Sequence, residues 1–248
     1  MQYTRYRRSG FSSSYFPPGV KWLLISNIVV FVVNFFAILL LESDPFRLLG
    51  LVPAQVLRLG FLWQPFTYMF LHAGFWHIIL NMFSLWMFGV QLERDWGTRR
   101  FLQYYFLCGA GAALCVMAVS IPAGETMFRT IGASGAIYGL LLAFGVMYPE
   151  TPILFSFLFP IKAKYFVMIF GAIEFMSSFT PGSGVSHIAH LGGMIFGYLF
   201  LKVRIKRISF QPFGALHEQF HEWRLRRARR KFQVYMRKHN DDRDRWVN

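Results

Sequence analysis

Apolar residues in this chain come in long unbroken blocks, not in strand-like alternation or narrow amphipathic stripes. The first, residues 20–41, is interrupted only by Lys21, Ser26, Asn27 and Asn34. Further blocks occupy 72–92, 100–121, 134–148, 164–178 and 186–204. A helix needs about 20 apolar residues to cross the hydrocarbon core. The pattern therefore predicts an all-α membrane protein of six transmembrane helices, with the fourth and fifth short. Turn formers and most remaining charges fall in connections at 93–99, 122–133, 149–163 and 177–186. The longer link 42–71 holds Pro45, Pro53, Trp63 and Pro65 among apolar residues, and reads as an interfacial or partly inserted loop.

Composition agrees: 55% of residues are hydrophobic and only 15% charged, well under the quarter or so usual in soluble domains. The net charge of +14 would suggest nucleic acid if spread over a soluble surface. Instead the basic residues cluster past the last apolar block. Six spans place both termini on one side of the membrane. Twenty-three of the 26 Lys and Arg then share that side, leaving Arg47, Arg58 and Arg129 opposite, so the termini are expected in the cytoplasm. The domains expected are a cytoplasmic segment 1–19, a membrane domain 20–205 and a basic amphipathic tail 206–248. In the tail Leu216, Phe220 and Trp223 interleave with Arg224, Arg226 and Arg227. That pattern suits the anionic inner leaflet, and no nucleic-acid partner is expected. His217 and His221 have metal-ligand spacing but no third ligand beside them. Cys108 and Cys115 share one apolar block and read as buried thiols. The first apolar block is too long for a cleaved signal peptide. With no obvious transit peptide and no seventh span, the expected location is a bacterial inner membrane.

Polar groups inside spans are costly and mark function by default. They collect at His77 and Asn81 in the second block, Ser134 and Tyr138 in the fourth, Glu174 in the fifth, and His187 and His190 in the sixth. His72 lies near the outer surface. From Ser134 to the Tyr148-Pro149 break the fourth block has 15 residues. It is about five short of a crossing, which sinks Ser134 roughly 7–8 Å below the outer hydrocarbon boundary. Chain leading to it is non-helical at membrane depth, tolerated only inside protein or along a cavity. A helix N-terminus leaves N–H groups free, suited to an oxyanion formed when Ser134 attacks a carbonyl. A serine nucleophile needs a base, and no Asp or Glu is expected near the fourth block to complete a triad. Histidine serves near neutral pH. His190 precedes Gly193 and Gly197, while Ser134 precedes Gly135 and Gly139. Two such small-residue faces would bring their helices, and with them His190 and Ser134, together. Glu174 has no catalytic role in this reading, and His187 is a structural or cavity-lining residue.

These motifs resemble the rhomboid family of intramembrane serine proteases over roughly residues 20–205. Its Gly-x-Ser-Gly-x-x-Tyr is matched by Gly132-Ala133-Ser134-Gly135-Ala136-Ile137-Tyr138, implying Ser134 as nucleophile. Ala189-His190-Leu191-Gly192-Gly193-Met194-Ile195-Phe196-Gly197 matches the family's Ala-His motif, implying His190 as base. His77 and Asn81 match His-x-x-x-Asn, which implies two oxyanion donors beside the Ser134 backbone. By the same resemblance Tyr138 packs on the His190 imidazole. One departure stands out: the family commonly has Trp-Arg in its first outer loop, where this chain has Trp63-Gln64. Loop stability and lipid contact are the properties that a lost cation touches.

The function expected is hydrolysis of peptide bonds in or near transmembrane segments of other membrane proteins, with Gly132 shaping the substrate loop. Segments weakened by Gly or Pro should be preferred, because a helix must unwind to expose its backbone. The uncharged loop 177–186, with Pro181, Gly182 and Gly184, is expected to cap the pocket. Neither cofactor nor metal is expected, and the absence of His-Glu-x-x-His argues against a zinc peptidase. Two rivals stand beside this reading. One is a non-proteolytic relative that binds or extracts membrane proteins; the other is a polytopic transporter using His72, His77, Asn81 and Glu174.

Overall fold

The computed structural model describes residues 16–42, 44–155, 159–180 and 184–202. The basic tail 206–248, most of segment 1–19 and the tip of the expected cap, Pro181 and Gly182, lie outside the described residues. Among those described, the α-helices are α1 (Pro18–Leu41), α2 (Pro53–Leu59), α3 (Gln64–Thr67), α4 (Phe75–Trp96), α5 (Thr98–Ser120), α6 (Ser134–Met147), α7 (Ala163–Ser177) and α8 (Gly184–Lys202). By length and composition α1, α4 and α5 can each cross a membrane, while α6 is a shorter apolar helix. Large apolar side chains along α1, including Ile28, Val29, Phe35, Phe36 and Leu40, are exposed. Apolar surface of that extent is stable against lipid and not against water.

Helix α1 starts at a proline, whose fixed φ suits the first helical position. Its free N–H groups are met from another helix. Gly19 and Val20 N–H donate to the two carboxylate oxygens of Glu93, each at 2.7 Å, and the Thr98 hydroxyl donates to Oε1 at 2.6 Å. Glu93 is buried at the end of α4. Its negative charge there complements the positive end of the α1 dipole. A Cβ at Gly19 would stand 2.9 Å from that carboxylate, so any larger residue would have to shift it away from the α1 donors.

Helix α6 is apolar all round and occupies the middle of the bundle, packed by α4, α5, α7 and α8. Its tightest neighbours are α5 and α8. A Cβ on Gly193 would lie 1.8 Å from the Gly135 carbonyl oxygen, and one on Gly139 would lie 2.5 Å from Cys108 Sγ. Backbone thus meets backbone where α6 crosses α8, as small residues permit in membranes. Gly197 instead packs on α5, against the Tyr104 hydroxyl, which itself donates to Gly139 O at 2.7 Å.

Two connections are more ordered than the sequence suggested. Residues 149–163, read as a plain connection in an all-α fold, contain an antiparallel pair: β1 (Pro152–Phe155) and β2 (Phe159–Lys162). In a two-stranded ribbon both strands are edges, so Pro152 and Pro160 are tolerated there. The link 42–71 folds into α2, α3 and short 3-10 turns. At its centre Gln64 is fully buried. Its oxygen accepts Val52 N–H at 2.9 Å, and its amide donates to Leu48 O at 3.1 Å and Gln55 Oε1 at 2.7 Å. Gln64, the point of departure from the Trp-Arg pattern, is therefore an internal clasp that holds the loop without a charge.

Candidate active site

The folded link holds the chain that leads into α6. Leu51 and Thr130 exchange backbone bonds at 3.0 and 2.8 Å, and Gly132 N–H donates to Tyr68 O at 3.0 Å. Arg129 donates to Asp44 at 2.8 Å and to Phe46 O at 3.2 Å. Gly132 has φ +127°, a conformation that disfavours side chains. A Cβ there would also stand 2.9 Å from His77 Nε2 and 3.6 Å from Ser134 Oγ. The glycine keeps the space between those two groups open.

Ser134 is the first residue of α6, and no side chain caps this helix start. Its Oγ lies 2.8 Å from His190 Nε2. The His190 ring stacks on Tyr138 at 4.2 Å between centroids and 11° between planes. Tyr138 is one turn after Ser134, so α6 presents both the hydroxyl and the surface that orients its partner. The stack and the Gly135–Gly193 crossing together fix where α8 delivers the imidazole.

On α4, His77 Nδ1 accepts Ala73 N–H at 3.3 Å. A nitrogen that accepts carries no proton, which leaves Nε2–H as the donor facing the gap beside Gly132. Asn81 is one turn further along the same helix. It is buried, and its Nδ2 has no hydrogen-bond partner. A buried amide donor left open is costly without a ligand.

A family model for the Rhomboid domain matches residues 60–207. This chain belongs to the rhomboid family. It is a membrane protein with transmembrane helices, mostly helical throughout. It is 29% identical over 134 residues to "Rhomboid protein 1, mitochondrial" of Saccharomyces cerevisiae, covering 53% of this chain and 38% of that one. It is 33% identical over 153 residues to "RHOMBOID-like protein 1" of Arabidopsis thaliana, covering 61% and 37%. With "Rhomboid-like protease 3" of Toxoplasma gondii it shares 26% identity over 201 residues, covering 78% and 72%. The chain thus spans under two fifths of the length of the yeast and Arabidopsis relatives.

In this rhomboid the site contains a group that the sequence reading left out. Glu174 of α7 is 6% exposed. It accepts the Tyr138 hydroxyl on Oε1 and lies 2.5 Å from His187 Nδ1 through Oε2. The same Oε2 is 2.9 Å from His190 Nδ1, though not in the direction of a hydrogen bond. The expectation that no acid stands near the Ser134 helix is therefore corrected: Glu174 is far in sequence and adjacent in space. His187, read as structural or cavity-lining, is a direct partner of that carboxylate. Glu174, His187 and His190 also place one oxygen and two nitrogens within 4.8 Å of one another, a set able to hold a metal ion. Ligands of four-coordinate zinc stand about 3.3 Å apart at bond lengths near 2 Å. Spacings of 2.5 and 2.9 Å from the shared oxygen are instead those of hydrogen-bond and charge contacts.

Proposed function

We propose that this rhomboid is an intramembrane serine endopeptidase acting on transmembrane segments of other membrane proteins. One observation carries the reading: a serine hydroxyl at a helix N-terminus, 2.8 Å from an imidazole nitrogen. Ser134 Oγ attacks the scissile carbonyl, and His190 Nε2 takes its proton and passes it to the leaving amine. The oxyanion is held by Ser134 N–H, His77 Nε2–H and the open Asn81 amide. Water then attacks the acyl-enzyme carbonyl, giving a proton to His190 Nε2, which returns it to Ser134 Oγ as the ester bond breaks. Gly132 leaves room for the substrate backbone, and a substrate helix must unwind to enter, which favours segments with Gly or Pro.

The chain crosses the membrane six times in this reading, through α1, α4, α5, α6, α7 and α8, with both termini cytoplasmic. In support, Ser134 and His77 lie near the starts of their helices, Glu174 near the end of α7 and His190 early in α8. All four then fall toward the outer face of a cell membrane. The basic tail would rest on the anionic inner leaflet, and 20–205 would form the membrane domain. The test is cleavage of a single-span protein in liposomes. Wild type should cut within or beside the span, and Ser134→Ala and His190→Ala should not. Solute flux that survives Ser134→Ala, with no cleavage by wild type, would support a transporter instead.

A further inference from the structure

We infer that Glu174 is a positioning residue for His190, making the serine–histidine pair in this chain part of a three-helix cluster; this rests on the peptidase reading above. A buried carboxylate is expensive unless donors surround it. Among the described residues, the partners of the Glu174 carboxylate are side chains of the site. Tyr138 from α6 and His187 and His190 from α8 converge on one α7 glutamate. A carboxylate that served only to tie α7 to α8 would need no bond to the tyrosine on which the base stacks.

The geometry gives Glu174 two ways to act. Through Tyr138 it fixes the ring that lies parallel to His190, and so fixes the plane in which Nε2 meets Ser134. Through Oε2 it sets a negative charge 2.9 Å from Nδ1. That charge favours the tautomer with its proton on Nδ1 and its lone pair on Nε2. When the serine proton moves to Nε2, the positive charge that develops on the ring is next to the carboxylate. Away from water such a charge is worth more than it would be in solvent. Because the direction to Nδ1 is not that of a hydrogen bond, the charge and the tyrosine, not a directed bond, carry the effect.

The test uses the full chain in detergent with a single-span reporter substrate, comparing wild type, Glu174→Gln and Glu174→Asp. Glu174→Gln should lower kcat by about thirtyfold with KM within about twofold, and should slow fluorophosphonate labelling of Ser134 to match. Glu174→Asp, which keeps the charge, should recover part of kcat at an unchanged melting temperature. Wild-type kcat in Glu174→Gln overturns the inference, as does a loss that tracks melting temperature and that aspartate does not rescue. Should Glu174→Gln fail to fold, Tyr138→Phe removes one donor and keeps the stack. A severalfold lower kcat at unchanged KM then supports the inference, and an unchanged kcat overturns it. Failure of wild type itself to label or cleave would sink the peptidase reading and not this one alone.

Discussion

Among the described residues two glutamates are buried, and they answer to different donors. Glu93 accepts two backbone N–H groups at the start of α1 and a threonine hydroxyl. Glu174 accepts a tyrosine of α6 and lies against two histidines of α8. They belong to different ends of the molecule, since Glu93 is about 24 Å along α4 from His77. Burial by itself therefore does not mark a functional acid. A carboxylate bonded to backbone holds helices together; one bonded to titratable and aromatic side chains tunes them.

The sharpest way to break this contrast starts with the pair that Glu174 serves. Ser134→Ala or His190→Ala should reduce cleavage by about 10⁴-fold or more while leaving the melting temperature close to wild type. Activity surviving either change would leave Glu174 with nothing to position. Next in size is Gly193→Ala, whose Cβ meets the Gly135 carbonyl oxygen. Backbone cannot yield as a side chain can, so a destabilisation of about 3 kcal/mol is expected with loss of activity, read by thermal unfolding and by cleavage. Glu93→Ala should cost about 2–3 kcal/mol by leaving the α1 donors buried and unpaired. The fraction that remains folded should keep wild-type kcat, whereas the Glu174 variants show the opposite split. A changed kcat in folded Glu93→Ala would erase the distinction.

The smallest effect belongs to a third acid, Glu150, exposed between α6 and β1. Hydrogen bonds from Lys164, then Lys162, hold its carboxyl at about 2, below the usual 4.5. A lowered carboxyl value stabilises the fold above pH 4.5, and the contribution fades as pH falls through about 2. Exposed pairs are screened by water and salt. Glu150→Gln should leave cleavage unchanged and shift neutral-pH melting within replicate scatter. A clear drop there would mean that charge pairing at the surface matters as much as pairing in the bundle.

How much of this was legible follows from sequence distance. The two glycine faces after Ser134 and His190 announced a close crossing, and short-range spacing placed Tyr138 and Asn81 a turn from their neighbours. Glu174 is 36 residues from Tyr138 and 13 from His187, in a separate helix with no periodic relation to either. Its being an acid within an apolar block was the available signal. Gln64 was opaque for another reason: two of its three partners are backbone groups, which no residue type announces. The β1–β2 hairpin was hidden because short apolar runs read equally as strand or connection.

The account depends most on Ser134 being a nucleophile made reactive by His190. Labelling with a fluorophosphonate, followed by mass spectrometry of the modified peptide, reads that directly. The prediction is one adduct per chain, on Ser134, formed by wild type and lost in a folded His190→Ala protein. An adduct elsewhere, or one on Ser134 that forms equally fast without His190, would contradict it.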